Sequence, residues 1–138
     1  MDWTVIELDE SIGKIVGFIN WAASDQTALN QDLKGKAQVV VAGYPAVRPH
    51  ALAVDFNCGK PTYIAASKLL VQPCATMKGD SGAPILLLKD GAATLIAVHS
   101  GSMVSDEGRV MPVSVPVSAF QNVLHDLRTR PKAPNGAQ

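Results

Sequence analysis

The sequence has no excess of charge of either sign, because 12 Lys and Arg residues are balanced by 12 Asp and Glu residues. The only basic block of note is the RTRPK segment near the end of the chain. Binding to nucleic acids or to anionic membrane surfaces depends on concentrated positive charge. We therefore expect neither nucleic acid nor a membrane as a partner.

Long hydrophobic runs are also missing. The longest, such as residues 83–88, are far shorter than the roughly 20 apolar residues that a helix needs to cross a bilayer. Met1, Asp2 and Trp3 lack the basic start and the apolar stretch of a signal peptide. Hydrophobic residues make up 47% of the sequence, which is enough for a buried core. The length of 138 residues predicts one domain, or one domain with a piece of another.

Cysteine is scarce. Cys58 and Cys74 allow a single disulfide, and from the count alone a bridge and two buried reduced thiols are equally well supported. The sequence also offers no pattern of metal ligands, so we expect neither a metal nor another cofactor.

From residue 37 onward, short apolar and β-branched runs alternate with turn residues. These runs predict six strands, at 37–45, 51–56, 68–74, 83–88, 93–100 and 109–115. Lys89-Asp90-Gly91 predicts a hairpin, because the Asp-Gly pair supplies the positive φ angles that such turns need. Ser118 is expected to cap a helix over residues 118–127. This order predicts an all-β fold, a small closed barrel of six antiparallel strands with a C-terminal helix.

The residues before 37 do not fit this barrel. The alternation in DWTVIEL predicts a strand over residues 2–8. Residues 9–36 are of mixed character, with FINWAA expected to pair or pack and TALNQDLKGK expected to hold a short helical turn. The predicted organisation is a strand in 1–8, a linker in 9–36, the barrel and helix in 37–128, and a flexible tail in 129–138.

The segment Gly79-Asp80-Ser81-Gly82 places a serine between glycines directly before a predicted strand. A serine hydroxyl is a weak nucleophile unless a neighbouring base removes its proton, and its attack on a carbonyl creates an oxyanion that needs N–H donors. The glycines allow a tight turn in which the N–H groups of Gly79 and Ser81 point into one hollow. On these four residues alone, an ordinary polar turn is the better interpretation.

Four segments in order, DWTVIEL, VVVAGYP, CATMKGDSG and AVHSGS, span almost the whole chain. In this order and spacing the chain resembles the second half of a chymotrypsin-like serine peptidase, most strongly of the bacterial glutamyl-endopeptidase branch. The resemblance implies a chymotrypsin-like second β-barrel with a C-terminal helix, plus the last strand of an otherwise missing first barrel. It also implies a serine endopeptidase that cleaves polypeptide substrates by acyl transfer.

The resemblance assigns catalytic roles to individual residues. Ser81 matches the nucleophile, and Gly79 and Ser81 match the donors of the oxyanion hole. Asp2 matches the buried aspartate that orients the catalytic histidine; the alternative is an exposed residue at a frayed terminus. Asp80 matches a carboxylate that settles the loop by pairing with a released N-terminal amine, and no such amine is identifiable in this sequence.

The resemblance also assigns a binding edge and a disulfide. Ser100, Gly101 and Ser102 match the edge that pairs with the substrate backbone. Cys58 and Cys74 lie where this branch commonly closes a disulfide ahead of the nucleophile loop. The bridge favours an exported parent protein, secreted or periplasmic.

The matched specificity pocket has two sides. Thr76, Met77 and Lys78 line one side, and His99 lines the other. An imidazole and a hydroxyl are suitable partners for a carboxylate, so the resemblance implies a preference for acidic residues before the scissile bond. A buried core histidine is the equally supported interpretation of His99.

The base that Ser81 needs is not evident. His50, His99 and His125 all follow Asp2, whereas the family's catalytic histidine precedes the aspartate. We therefore expect the C-terminal part of a peptidase, inactive alone, with the missing N-terminal barrel as a further partner. The alternatives are a non-catalytic peptide-binding homologue and an unrelated β-barrel with a chance GDSG. An unpartnered strand at 2–8 would expose apolar side chains, so we also expect a poorly soluble chain.

Overall fold

The computed structural model describes residues 3–130, which form a mostly antiparallel sheet and a short C-terminal helix. The eight strands are β1 Asn20–Trp21, β2 Gln38–Gly43, β3 Ala53–Cys58, β4 Thr62–Ile64, β5 Leu69–Val71, β6 Pro84–Lys89, β7 Ala92–Val104 and β8 Val110–Pro116. The helices are α1 Gly13–Val16, α2 Gln26–Lys34 and α3 Gln121–Thr129, with a 3₁₀ turn at Val117–Ala119. The all-β class and the C-terminal helix are confirmed.

The six predicted strands correspond to β2, β3, β5, β6, β7 and β8. Their order in the sheet is β3-β2-β6-β7-β8-β5-β4, and β1 adds a short parallel pairing to β7. The end strands β3 and β4 do not pair with each other, so the sheet is not closed.

The core lies between the strands and α2. Side chains from β2, β6 and β7 alternate inward because successive residues of a strand face opposite sides of a sheet; examples are Val39, Ile85 and Ile96. Leu29 of α2 is fully buried in the same cluster. Asp25 caps α2 by accepting a hydrogen bond from the Ala28 N–H at 2.8 Å. The helical turn expected in this region is confirmed.

The strand predicted at 2–8 is wrong for residues 3–8, which form no strand. Strand backbone needs a neighbour for its N–H and C=O groups, and this segment has none among residues 3–130. Trp3 instead packs its ring 5.8 Å from that of Phe120. Met1, Asp2 and the predicted tail from 131 onward lie outside the described residues.

The predicted linker contributes to the sheet. Asn20 and Trp21 pair in parallel with Thr94 and Leu95 of β7. The expectation that the FINWAA segment pairs is therefore confirmed. No helix within residues 3–130 is long and apolar enough to cross a membrane.

Two further predictions concern the hairpin between β6 and β7 and the helix cap after β8. The hairpin at Asp90-Gly91 is confirmed, with φ angles of 51° and 78°. The helix cap at Ser118 is wrong, because α3 begins at Gln121 with Phe120 at its N-cap. Pro116 still pairs with Ala97, so the chain stays extended to that point and reverses through a 3₁₀ turn before the helix.

Candidate functional site

The loop between β5 and β6 carries Ser81 and is fixed at both ends. At its start, a disulfide joins Cys74 to Cys58 of β3. The Ala75 N–H donates to the Asp55 carboxylate at 2.7 Å. At its end, the Gly82 N–H donates to the His99 carbonyl of β7 at 2.8 Å. The serine is therefore carried by a loop that is tied to the sheet on both sides.

Gly79 is required by the way this loop packs. Its φ of +101° lies in the region that favours glycine, and an added Cβ would come within 2.5 Å of the Ala46 backbone nitrogen. That nitrogen donates its hydrogen to the Lys78 carbonyl at 2.7 Å. The loop is thus in close backbone contact with the turn after β2, and only glycine fits at position 79.

The Asp80 side chain of this loop is buried, and its two carboxylate oxygens differ in their hydrogen bonding. Its Oδ2 accepts a hydrogen bond from the Met77 N–H at 2.8 Å. Its Oδ1 is buried and has no hydrogen-bond partner among the described residues. Gly43 lies against this oxygen so closely that an added Cβ would approach it to 2.5 Å. The predicted pairing of Asp80 with an amine stays a prediction.

Ser81 is exposed and lies beside two free backbone donors. Its hydroxyl donates to the Ser100 carbonyl at 3.5 Å, a long distance for a hydrogen bond. The N–H groups of Gly79 and Ser81 donate to no acceptor within residues 3–130. The arrangement offers an accessible hydroxyl and two donors that are available to an external acceptor.

A cavity of about 640 Å³ opens beside the serine. Ser81, His99 and Ser100 lie on its polar side. Its apolar wall is formed by side chains from the N-terminal segment, β7 and the C-terminal helical region, among them Trp3, Trp21, Val98, Phe120 and Leu124. An apolar cleft with a few polar groups at one end is typical of a binding site for a peptide or another small ligand.

His99 is buried and is held from behind by polar side chains. Its Nδ1 lies 3.1 Å from the Gln72 side-chain amide, which in turn lies 3.0 Å from the Ser114 hydroxyl. Burial lowers the pKa of His99 below its ordinary value of 6.5, while the negative charge of Asp80 opposes that effect. Burial therefore favours the neutral form of the imidazole.

The other two histidines form no hydrogen bond with the serine. His50 is exposed in the turn after β2, and His125 is exposed on α3 with its ring 4.9 Å from that of Trp21. No imidazole nitrogen in the described part of the chain forms a hydrogen bond with the Ser81 hydroxyl. Asp2, the predicted partner of a catalytic histidine, lies outside the described residues.

The predicted substrate-binding residues fall into two groups. Thr76, Met77 and Lys78 belong to the loop before Gly79, and none of them lines the cavity shared by Ser81 and His99. Ser100, Gly101 and Ser102 lie on β7 beyond the end of β6. Here β7 pairs with β8 on one edge. Its other edge is open within residues 3–130.

Sequence reasoning missed Gln72 and Ser114. Each is a fully buried polar residue in an otherwise apolar segment, KLLVQPC or RVMPVSV. A buried polar side chain almost always has a hydrogen-bond partner, so these interruptions were the available signal. No group of three or more His, Cys, Asp or Glu residues in the described ranges is placed to hold a metal ion.

No protein-family model matches this chain, and no curated protein matches it at a significant level of sequence similarity. The resemblance to chymotrypsin-like peptidases therefore depends only on the four sequence segments DWTVIEL, VVVAGYP, CATMKGDSG and AVHSGS.

Proposed function

We propose that this chain is the nucleophile-bearing part of a chymotrypsin-like serine endopeptidase. The observation that carries the proposal is the exposed Ser81 beside the free N–H groups of Gly79 and Ser81, in a loop tied down at both ends. In the reaction, Ser81 Oγ bonds to the substrate carbonyl carbon, and the carbonyl oxygen becomes an oxyanion that the two N–H groups stabilise. The peptide C–N bond then breaks, and water hydrolyses the resulting ester.

The proposed architecture is the second barrel of such a peptidase. Supporting this, seven of the eight strands follow one continuous order, and a disulfide connects the end of edge strand β3 to the segment after β5. The bridge thus spans part of the opening between the two ends of the sheet. A disulfide is typical of oxidising compartments, so we propose a secreted or periplasmic parent.

The proton of Ser81 needs an acceptor that the described histidines do not provide. In the proposed reaction an imidazole takes this proton and later gives it to the leaving amine. We propose that another polypeptide segment supplies this imidazole, held by an aspartate in the role predicted for Asp2. The chain alone then reacts slowly, through its oxyanion donors without a base.

Substrate binding is proposed along β7. The open edge at Ser100, Gly101 and Ser102 is suited to pair with an extended peptide, as an added strand would. The cavity beside His99 would receive the side chain before the scissile bond.

The test is chemical rescue with free imidazole. A fluorophosphonate probe is incubated with the 138-residue chain in the presence and absence of imidazole, and labelling is followed by intact mass and peptide mapping. Bond formation between Ser81 Oγ and phosphorus expels fluoride, and the added imidazole accepts the serine proton. We expect labelling of Ser81 that increases with imidazole concentration and is lost in Ser81→Ala.

Ser118→Ala is the matched control, because Ser118 is another exposed serine and lies outside the site. It should label like the native chain. Absence of labelling at any imidazole concentration would contradict the acyl-transfer proposal. Complete labelling without imidazole would contradict the need for an external base.

A second candidate function is peptide binding without cleavage. The observation that favours it is the combination of an open β7 edge with a serine that has no bonded imidazole. Under this alternative, Ser81→Ala binds peptides as tightly as the native chain, and free imidazole produces no labelling. Calorimetric titration of both chains with an extended blocked peptide, alongside the labelling experiment, separates the two functions.

A further inference from the structure

Three polar side chains are enclosed behind the cavity. Gln72 and Ser114 have no exposed surface, and His99 is only 5% exposed. Water therefore cannot satisfy the hydrogen bonds of Gln72 and Ser114, whose polar atoms must find partners in the protein. The donors and acceptors of this group consequently fix one another.

The orientation of the Gln72 amide follows from its backbone neighbours. One end of the amide faces the carbonyl oxygens of Pro112 and Leu70, at 3.1 and 3.2 Å. Only the NH₂ group can donate to two carbonyl oxygens, so the nitrogen lies at that end, where it is also 3.0 Å from the Ser114 hydroxyl. The amide oxygen then faces His99.

This orientation determines the tautomer of His99. The Gln72 oxygen lies 3.1 Å from His99 Nδ1, and an oxygen can only accept. Nδ1 must therefore carry the proton. A neutral imidazole has one N–H, which leaves Nε2 as the ring nitrogen with a free lone pair.

We propose that Gln72 and Ser114 are positioning residues for His99, which keep its proton on Nδ1 and leave Nε2 as a hydrogen-bond acceptor for ligands in the cavity beside Ser81. His99 itself lines that cavity, whereas Gln72 and Ser114 do not. They act on a ligand only through the imidazole.

The proposal predicts the class of ligand that the cavity prefers. An acceptor at Nε2 binds a donor, such as the primary amide of Gln or Asn or a hydroxyl group. An ionised carboxylate only accepts, so it is disfavoured until Nε2 is protonated. This part rests on the proposed function, because it assumes that the cavity receives a substrate side chain. At neutral pH the cavity is then expected to prefer amides, and not the acidic residues that the resemblance implied.

The charges around His99 agree with this picture. Gln72 and Ser114, the side chains that face it from the segment after β5 and from β8, carry no charge. Asp80, in the loop before β6, is the charged group that acts on it, and its charge and a hydrogen bond to the Val113 backbone both raise the pKa of His99. Burial is the larger effect and lowers that pKa, so the neutral form persists into mildly acidic solution.

Nitrogen NMR of the histidine rings tests the positioning role. In the ¹⁵N-labelled 138-residue chain at neutral pH, long-range ¹H–¹⁵N spectra should show His99 as the Nδ1–H tautomer. The exposed His50 and His125 serve as controls in the same spectrum. An Nε2–H tautomer or a fast-exchanging average at His99 would overturn the proposal.

Gln72→Glu supplies a second and independent readout. Its carboxylate would stabilise the protonated ring, so the pKa of His99 should rise by about one pH unit or more. Gln38→Glu, at an exposed glutamine on β2, is the matched control and should leave the titration of His99 unchanged. An unaltered pKa of His99 in Gln72→Glu would contradict contact between the two side chains.

Two blocked tripeptide amides, Ac-Ala-Ala-Gln-NH₂ and Ac-Ala-Ala-Glu-NH₂, test the ligand class. Above pH 7 we expect the glutamine peptide to shift His99 Nε2 at several-fold lower concentration than the glutamate peptide. Tighter binding of the glutamate peptide at that pH would overturn the preference. If neither peptide binds, the proposed function loses its substrate site, whereas the tautomer measurement still decides the role of Gln72.

Discussion

The two sides of Ser81 differ in how completely their polar groups are paired. On one side, hydrogen bonds connect His99 to Gln72 and Gln72 to Ser114, so each of these buried side chains has a partner. On the other side Asp80 has one buried oxygen without a partner in the described chain. A buried acceptor left unpaired costs about 1–3 kcal/mol. The buried groups behind His99 are paired with one another, whereas the Asp80 side has an open position for a hydrogen-bond donor.

The two sides are also built differently. The His99 side depends on pairing between β7 and β8, so residues distant in sequence define it. The Asp80 side depends instead on close contact of the Ser81 loop with the end of β2 and the turn after it, where Gly43 meets Asp80 and Gly79 meets Ala46. Substitutions that affect only one side can therefore separate their contributions to stability and to the site.

The largest effect is expected for Gly79→Ala. The added Cβ would occupy a left-handed conformation and clash with backbone at Ala46, which together cost about 3–5 kcal/mol. Gly82→Ala is the control, because Gly82 also has a positive φ, of 89°, but open space around its Cα. It should lose only about 1–2 kcal/mol. Denaturant unfolding measures both, and equal losses would contradict the close contact.

An intermediate effect is expected on removing the disulfide. Cys58 and Cys74 are 16 residues apart in sequence, and closing a loop of about that length stabilises a folded chain by about 3 kcal/mol. Cys74 lies between Gln72 and the Ser81 loop, so both sides of the site should loosen. The double variant Cys58→Ala/Cys74→Ala is compared by denaturant unfolding with the native chain with and without reductant. If reductant also lowered the stability of the double variant, this would contradict the disulfide as the origin of the stabilisation.

The smallest effect is a dependence of stability on pH that arises from the His99 side. Because burial places the pKa of His99 in the folded chain below its ordinary 6.5, the unfolded chain binds more protons just below that pH. The free energy of unfolding should fall as the pH drops below about 6.5. His99→Gln should flatten this part of the curve. The predicted direction would be contradicted if the native chain became more stable as the pH falls below about 6.5 and His99→Gln did not.

Local patterns predicted much of the fold. Short apolar runs located β2, β3, β5, β6, β7 and β8, and Asp90-Gly91 located the hairpin, because these signals depend on neighbouring residues. The strand at 3–8 failed because a strand also needs a partner, which its own alternation does not reveal. Ser118 failed as a cap because the pairing of Pro116 with β7 postpones the helix.

Only part of the candidate site could be predicted, again because sequence signals depend on neighbouring residues. The loop around Ser81 has a local signature of glycines and a serine, and the structure places that serine beside two free donors. Gln72 and Ser114 are separated by 42 positions, and their contact depends on the pairing of β5 with β8. The tautomer of His99 could be inferred only after these strands were positioned.

The short parallel pairing of β1 with β7 has a consequence for how the molecule opens. It covers two residue pairs and is extended by one bond from the Ala22 N–H to the Leu95 carbonyl, at 3.0 Å. Side chains before it, including Ile15 and Phe18, are more than 80% exposed. Backbone amides before residue 22 should therefore exchange with deuterium through local detachment, whereas those of β2, β6 and β7 should exchange only when the whole sheet unfolds.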